Sequence, residues 1–368
     1  MKKRIVIKIG TNLLTNNDYT FNGAIISDFC SQIAKLRGKN YDVILISSGA
    51  IISGAGLLGY REKPKSLSVK QACAAIGQPL LMQAYKTNFD KYKTTVAQIL
   101  LTRSDFEDRN RYLNIRNTIL TLLKLGIIPV INENDTVAVD EIKFGDNDTL
   151  SALVSSKLES DILIILTDVR GLFDDDPNIN KNAKLIPEVK CITKEIEQLA
   201  KPSSRSGKGS GGMYTKILAA KISTGCGVQT YIADGRIDNA LLKIANGENP
   251  GTHFKANDKS ITDAKKRWIA FSSKIKGKIA IDPGAATAIL AKNSSLLPSG
   301  IIAVYNKFRK GDTVSICGQN EKEIARGISN YSSDDLMKIK GKKTSEINKI
   351  MEKNSCVEVI HRDNLAVL

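Results

Sequence analysis

The chain has 368 residues and a mass of 40.1 kDa, more than one ordinary domain needs and comfortable for two. Its 42% hydrophobic and 25% charged content is that of a folded globular protein, which excludes disorder as the main state. No apolar run reaches the ~18 residues of a membrane helix, and the opening MKKRIVIKIG, with Lys8 inside its short apolar stretch, reads as a first strand rather than a secretion signal. Six scattered cysteines with no C-x-x-C pair predict reduced thiols in a cytoplasm. With only two histidines, His253 and His361, a zinc site or a histidine-based triad is poorly supported, so catalysis falls to Lys, Asp, Asn and backbone. The net charge is +16, of which the last 114 residues carry +9 (21 basic, 12 acidic). Such a field attracts anions, whether nucleic acid or phosphorylated metabolites, or it is a Lys-rich bias on solvated faces.

In chain order, runs rich in Val, Ile and Leu at 4–9, 42–47, 94–101, 127–131, 161–167 and 228–233 read as strands buried on both faces. Amphipathic stretches separate them. In 112–125, Ile115, Ile119, Leu122 and Leu123 recur at helical spacing and Gly126 suits the cap. This alternation predicts an α/β fold, an open, mostly parallel sheet sandwiched by helices. Around 247–266 the periodicity dissolves into Gly, Pro, Asn and Lys. Beyond it, 268–271, 278–281, 286–291, 300–305, 312–316 and 324–328 are short β-like or turn-bounded runs, punctuated by turn elements such as DPG at 282–284. The expected division is a catalytic domain over 1–254, a linker over 255–274 and a small β-rich C-terminal domain over 275–368.

Several motifs carry chemistry. Lys8 closes the first strand and opens into Gly10-Thr11-Asn12, where ligands bind in open α/β sheets, although a strand-edge lysine can also simply snorkel to water. Ser47-Ser48-Gly49-Ala50 is a turn that lets backbone N–H groups approach an anion, or only a tight connection. Asn132-Glu133-Asn134-Asp135 follows the fourth strand, and Gly145-Asp146-Asn147-Asp148-Thr149 leads into a helix. Two such clusters of carboxylates and amides exceed what capping requires, and they suit an amine, an Mg²⁺-bound phosphate or a lysine. Thr167-Asp168 ends the fifth strand in a polar turn. GKGSGG at 207–212 matches G-x-G-x-x-G, but a polar loop rather than a strand precedes it, so it is no dinucleotide fingerprint. It remains a glycine loop feeding a helix with Lys216 in its first turn, suited to a polyphosphate. No G-x-x-x-x-G-K-[ST] is present, which excludes a P-loop kinase.

Together KIGTNLLT, SSGAI, PVINEND, EIKFGDNDTLSALV, LTDVRGLFDDDP and GSGGMYTK, in that order, resemble the amino acid kinase family, and most closely its glutamate-phosphorylating branch. The tail, with GKIAIDPGAATAIL and SLLPSGI, resembles a PUA domain; the loop SRSGKGSGGM looks longer and more basic than usual. The resemblance implies ATP-dependent phosphorylation of the glutamate side-chain carboxylate, giving glutamyl 5-phosphate for proline synthesis. It implies that Lys8 and Lys216 neutralise the transferring group and that Asp148 holds both lysines. Ser48, Gly49, Asp135 and Asn147 would bind glutamate, with Asp135 on the α-amine and Asn132 and Asp146 in support. Lys8, Thr167, Asp168, Ser210, Gly211, Gly212, Met213, Tyr214, Thr215 and Lys216 would hold ATP, with Mg²⁺ on its phosphates and no side chain assigned to the metal. A homo-oligomer inhibited by proline is expected, with no membrane association. The rival readings are a kinase of the same fold acting on another acyl or phosphate acceptor, an RNA-binding or RNA-modifying protein using the basic tail, and an inactive regulatory homologue.

Overall fold

A computed structural model describes residues 2–138, 146–177, 179–200, 211–257, 263–271, 273–318, 321–342, 346 and 358–368. The chain divides into two compact units, 1–260 and 261–368.

Among the described residues the first unit is built on eight strands: β1 (Lys3–Ile9), β2 (Tyr41–Ser47), β3 (Val96–Leu101), β4 (Ile128–Glu133), β5 (Ile162–Thr167), β6 (Glu188–Val189), β7 (Gln229–Asp234) and β8 (Thr252–Phe254). Their order across the sheet is β3-β4-β2-β1-β5-β7-β8-β6. The six strands read from the sequence are all present, and each is parallel to its neighbours among the six. The run Ile5, Val6, Ile7 and Ile9 is wholly buried, as a central strand covered on both faces must be. β6 and β8 escape the sequence reading because two or three residues carry no periodicity. β8 pairs antiparallel to β7, and the buried Thr252 hydroxyl donates to Ile186 O at 2.7 Å and accepts from Leu172 N at 2.8 Å.

The winding decides where a ligand can sit. From β1 the chain lays β2, β3 and β4 on one side, then crosses to place β5 and β7 on the other. The carboxyl ends of β1, β2, β4 and β5 therefore meet at the point where the order reverses, the usual crevice of open α/β sheets.

Two helices shape one wall of this crevice. Ala50–Leu57 starts directly after β2, with Gly49 at φ +103°, a left-handed conformation that suits glycine. It crosses Leu67–Asp90 at very short range: a Cβ on Gly77 would lie 1.8 Å from the Ala50 carbonyl oxygen, and one on Gly54 1.9 Å from that of Cys73. Only glycine fits at such a crossing. Gly77→Val is expected to cost about 1–3 kcal/mol or more and to lower Tm by roughly 5 °C in thermal denaturation, whereas Gly38→Ala, with open space at its Cβ, is neutral. The helix expected over 112–125 spans Arg109–Lys124, capped by Asp108, whose side chain accepts from Arg111 N at 2.8 Å, and followed by Gly126 at φ +74°.

The second unit holds β9 (Ile275–Ile281), β10 (Ile301–Tyr305), β11 (Thr313–Cys317), β12 (Glu323–Ile328) and β13 (Leu365–Val367), ordered β10-β9-β11-β12-β13. Two of the β-like runs prove helical. Residues 268–271 end the helix Ala264–Phe271, and 286–291 lie in the helix Pro283–Lys292. The DPG segment is that second helix's start: Asp282 accepts from Ala285 N at 2.7 Å, and Pro283 occupies the first turn. Short apolar runs do not distinguish strand from helix, and the alanines here favour helix. Inside the stretch expected as linker, Ile269 and Ala270 are buried against Ala366. Among the described residues no helix is long and apolar enough to cross a membrane.

Candidate active site

At the crevice, one buried carboxylate grips two lysines from opposite ends of the first unit's sequence. Lys8 rises from the end of β1, Asp148 from the first turn of the helix Asp146–Lys157, and Lys216 from the first turns of the helix Gly211–Gly225. Lys8 Nζ lies 2.8 Å from Asp148 Oδ1, and Lys216 Nζ 3.3 Å from Asp148 Oδ2. Thr215 Oγ1 donates to Asp148 Oδ2 at 2.8 Å, and Lys216 Nζ donates to Gly212 O at 3.0 Å. All three charged residues are at most 9% exposed. Burial by itself would raise the Asp148 pKa, but the two ammonium groups and the bonds from Lys8 and Thr215 outweigh it and hold the carboxyl below its ordinary value. Burial lowers the Lys216 pKa, with Lys8 adding repulsion and Asp148 opposing both. Two cations around one anion leave a net positive centre in a low-dielectric crevice, a place that favours an anion carrying more charge in a transition state than in its ground state.

Beside it lies the cluster read as the acceptor-substrate side. Asn147 Nδ2 donates to Ser48 Oγ at 2.8 Å and to Asn132 Oδ1 at 2.9 Å, joining the ends of β2 and β4 to the helix that carries Asp148. Gly49 caps the helix Ala50–Leu57 next to Ser48. Asp135 is half-buried in the turn after β4, three residues beyond Asn132. The Asp146 side chain and residues 139–145 lie outside the described residues.

On the other side of β1, the end of β5 is tied in place. Gly10 N donates to Leu166 O at 3.1 Å, Asn12 Nδ2 to Asp168 Oδ2 at 2.9 Å, and Thr167 Oγ1 to Asp168 Oδ1 at 3.1 Å. Burial would raise the Asp168 pKa; the bond from Asn12, backbone and Thr167 bonds, and the charge of Lys216 hold it below the ordinary value. Gly211, Gly212, Met213, Tyr214 and Thr215 form the opening of the helix that carries Lys216, with Met213 and Tyr214 half-buried. Ser210 lies outside the described residues, as does most of the glycine loop over 205–212.

The structure adds residues that motif reading passed over. Arg236 donates to Asp234 through Nε (2.9 Å to Oδ1) and Nη2 (2.8 Å to Oδ2), and to the Asp168 carbonyl at 2.5 Å, fastening the end of β7 to the Thr167–Asp168 turn. Thr215, which the sequence placed with the nucleotide residues, is in the structure also a third donor on Asp148. The DGR tripeptide at 234–236 was the available sign, since an acid and a base two residues apart at a strand's carboxyl end often pair.

The amino acid kinase family model matches residues 3–234, and the PUA domain model residues 277–351. A glutamate 5-kinase from Thermoanaerobacter sp. (strain X514) is 51% identical over 365 residues, covering 99% of this chain and 98% of that protein. A glutamate 5-kinase from Dehalococcoides mccartyi (strain CBDB1) is 47% identical, covering 100% and 98%. Among solved structures, UMP kinase from Ureaplasma parvum aligns over 69% of this chain and 99% of its own, at 17% identity and a TM-score of 0.48.

Proposed function

The chain belongs to the amino acid kinase family, and from that premise we propose that it transfers the γ-phosphoryl group of ATP to the side-chain carboxylate of L-glutamate. The products are ADP and L-glutamyl 5-phosphate, the first intermediate of proline synthesis. The observation that carries this reading is the grip of Asp148 on Lys8 and Lys216.

A carboxylate oxygen attacks the γ-phosphorus while the bond to the bridging oxygen of the leaving ADP breaks. The attacking group is already ionised at neutral pH, so the reaction needs no general base, in keeping with a described site built without histidine. Its barrier is the repulsion and misalignment of two anions. Lys8 and Lys216 meet that barrier by setting positive charge where the transferring group's charge spreads, and Asp148 holds both ammonium groups in one geometry. Ser48, Gly49, Asn132, Asp135 and Asn147 take the amino acid, with Asp135 on the α-ammonium. Thr167, Asp168 and the segment 210–216 take the nucleotide. Both Asp148 oxygens are committed to ammonium and hydroxyl partners, so this carboxylate does not suit a metal. Mg²⁺ would be carried by phosphate oxygens, where it supplies further neutralisation.

Proline presents the same α-carboxylate and a cationic nitrogen, so it is the expected competing end-product. A homo-oligomer is the expected assembly, supported by Val96, Ile99 and Leu100 of the edge strand β3, which the chain covers only partly.

The test supplies purified protein, ATP and Mg²⁺ with glutamate, aspartate or N-acetylglutamate, trapping acyl phosphate with hydroxylamine. Glutamate is expected to give hydroxamate and the other two far less, because acetylation removes the charge that pairs with Asp135. Equal turnover of N-acetylglutamate overturns the assignment. Asp135→Asn is expected to raise the glutamate KM by about tenfold or more while leaving the ATP KM within about twofold.

A further inference from the structure

Behind the acceptor-substrate residues runs a chain of four side-chain amides. Gln98 Oε1 accepts from Gln78 Nε2 at 2.9 Å, Gln78 Oε1 from Asn132 Nδ2 at 2.8 Å, and Asn132 Oδ1 from Asn147 Nδ2 at 2.9 Å. An amide turned end for end keeps its shape but exchanges donor and acceptor, so a chain of this kind has two possible polarities.

One backbone group selects between them. The Glu133 N–H can only donate, and it gives its hydrogen to Asn132 Oδ1 at 2.9 Å. With that oxygen fixed, the Asn132 NH₂ faces Gln78, the Gln78 oxygen faces Asn132, and the Gln78 NH₂ needs the oxygen of Gln98. In the other direction Asn147 must present its NH₂ to Asn132, and that same NH₂ donates to Ser48 Oγ at 2.8 Å. Two consequences reach the crevice. Asn147 Oδ1 is left buried with no hydrogen-bond partner among the described residues. Ser48, accepting from Asn147, keeps its own hydrogen free to give away.

We infer that Gln78, backed by Gln98, is a positioning residue that holds the Asn132 amide in the polarity the Glu133 N–H selects, so that Asn147 offers an oxygen to the substrate's ammonium and Ser48 offers a hydrogen to one of its carboxylates. The inference rests on the glutamate-kinase reading above. Gln78 is well placed for this role, being 8% exposed on the helix Leu67–Asp90, which the glycine crossing already described holds in position. Gln71, seven residues earlier and on the same helix face, donates to Ala138 O at 3.1 Å. One helix face thus holds both ends of the segment 132–138, which carries Asn132 and Asp135. Gln98, more exposed on the edge strand β3, accepts from the Gln78 NH₂ and so reinforces the orientation in which the Gln78 oxygen turns inward.

The experiment measures glutamate and ATP Michaelis constants and kcat for the wild type, Gln78→Met, Gln98→Met and Gln78→Glu. Gln78→Met is expected to raise the glutamate KM about tenfold, the worth of one hydrogen bond, with the ATP KM within about twofold and kcat within about threefold. Gln98→Met, at a position where folding is not at stake, moves the glutamate KM the same way by about threefold. Gln78→Glu still presents an oxygen to Asn132 and recovers most of the loss. A merely structural role would lower the active fraction, and hence kcat, with neither KM displaced. Unmoved glutamate constants in both Met variants, glutamate and ATP constants rising together, or Gln78→Glu no better than Gln78→Met would overturn the inference. Should Gln78→Met fail to fold, Gln98→Met decides alone. A wild type that does not use glutamate overturns the functional reading and this inference with it; an active wild type with unmoved constants overturns the inference alone.

Discussion

Lys8→Ala and Lys216→Ala are each expected to lower kcat by about 10²-fold or more, with smaller changes in either KM. Each ammonium is aimed at charge that spreads over the transferring group only at the transition state, and one such buried donor contributes about 3 kcal/mol. Ground-state binding draws on the same charge less, so kcat and kcat/KM fall together. Lys221→Ala is the control. It lies on the same helix as Lys216 but is exposed and paired with Glu197 at 2.6 Å, away from Asp148, and its loss should leave turnover within about twofold. Steady-state kinetics on the three variants checks the prediction, and near-normal turnover by the Lys216 variant would remove that residue from the chemistry.

Asp148→Ala is expected to damage both fold and activity. It leaves two buried ammonium groups facing each other without an anion, a situation that costs about 3–5 kcal/mol and lowers Tm by roughly 10 °C. Turnover should fall about as far as in the lysine variants, because both ammonium groups lose their common anchor. Adding Lys216→Ala to Asp148→Ala removes one of the repelling charges, so the double variant should cost less than the sum of the single ones. The pH dependence has a definite sign. The Asp148 carboxyl in the fold titrates below 3.8, its ordinary value, so its contribution to stability is fully present above about pH 4 and is lost as the pH falls through the lowered value. The Tm gap between wild type and Asp148→Ala should therefore be widest above about pH 4 and narrow below it. A gap that widens in acid would mean that Asp148 is not held ionised by the lysines.

The sequence by itself determined the six central strands, because strands covered on both faces write their burial into consecutive Val, Ile and Leu. It also marked Lys8, Ser48, Asn132 and the 145–149 segment, since polar side chains at the ends of apolar strands have no packing reason to be there. The family resemblance, which also rests on local strings, assigned the two lysines to Asp148 before any distance was known. Short apolar runs were the weak point. Residues 286–291 look alike as strand or helix until Asp282 caps them, and β6, β8 and β13 are too short to show a period. Only the tertiary structure decided how far Asp148 is held ionised, because that depends on burial at the meeting point of β1, Asp146–Lys157 and Gly211–Gly225 rather than on any string of residues. It alone also showed Arg236 fastening β7 to Asp168, and a chain of amides whose polarity descends from the single N–H of Glu133. The physical reason is one of range. Apolar periodicity is local and survives in the linear order, whereas charge pairing and hydrogen-bond direction depend on which strand ends the winding of the sheet brings together.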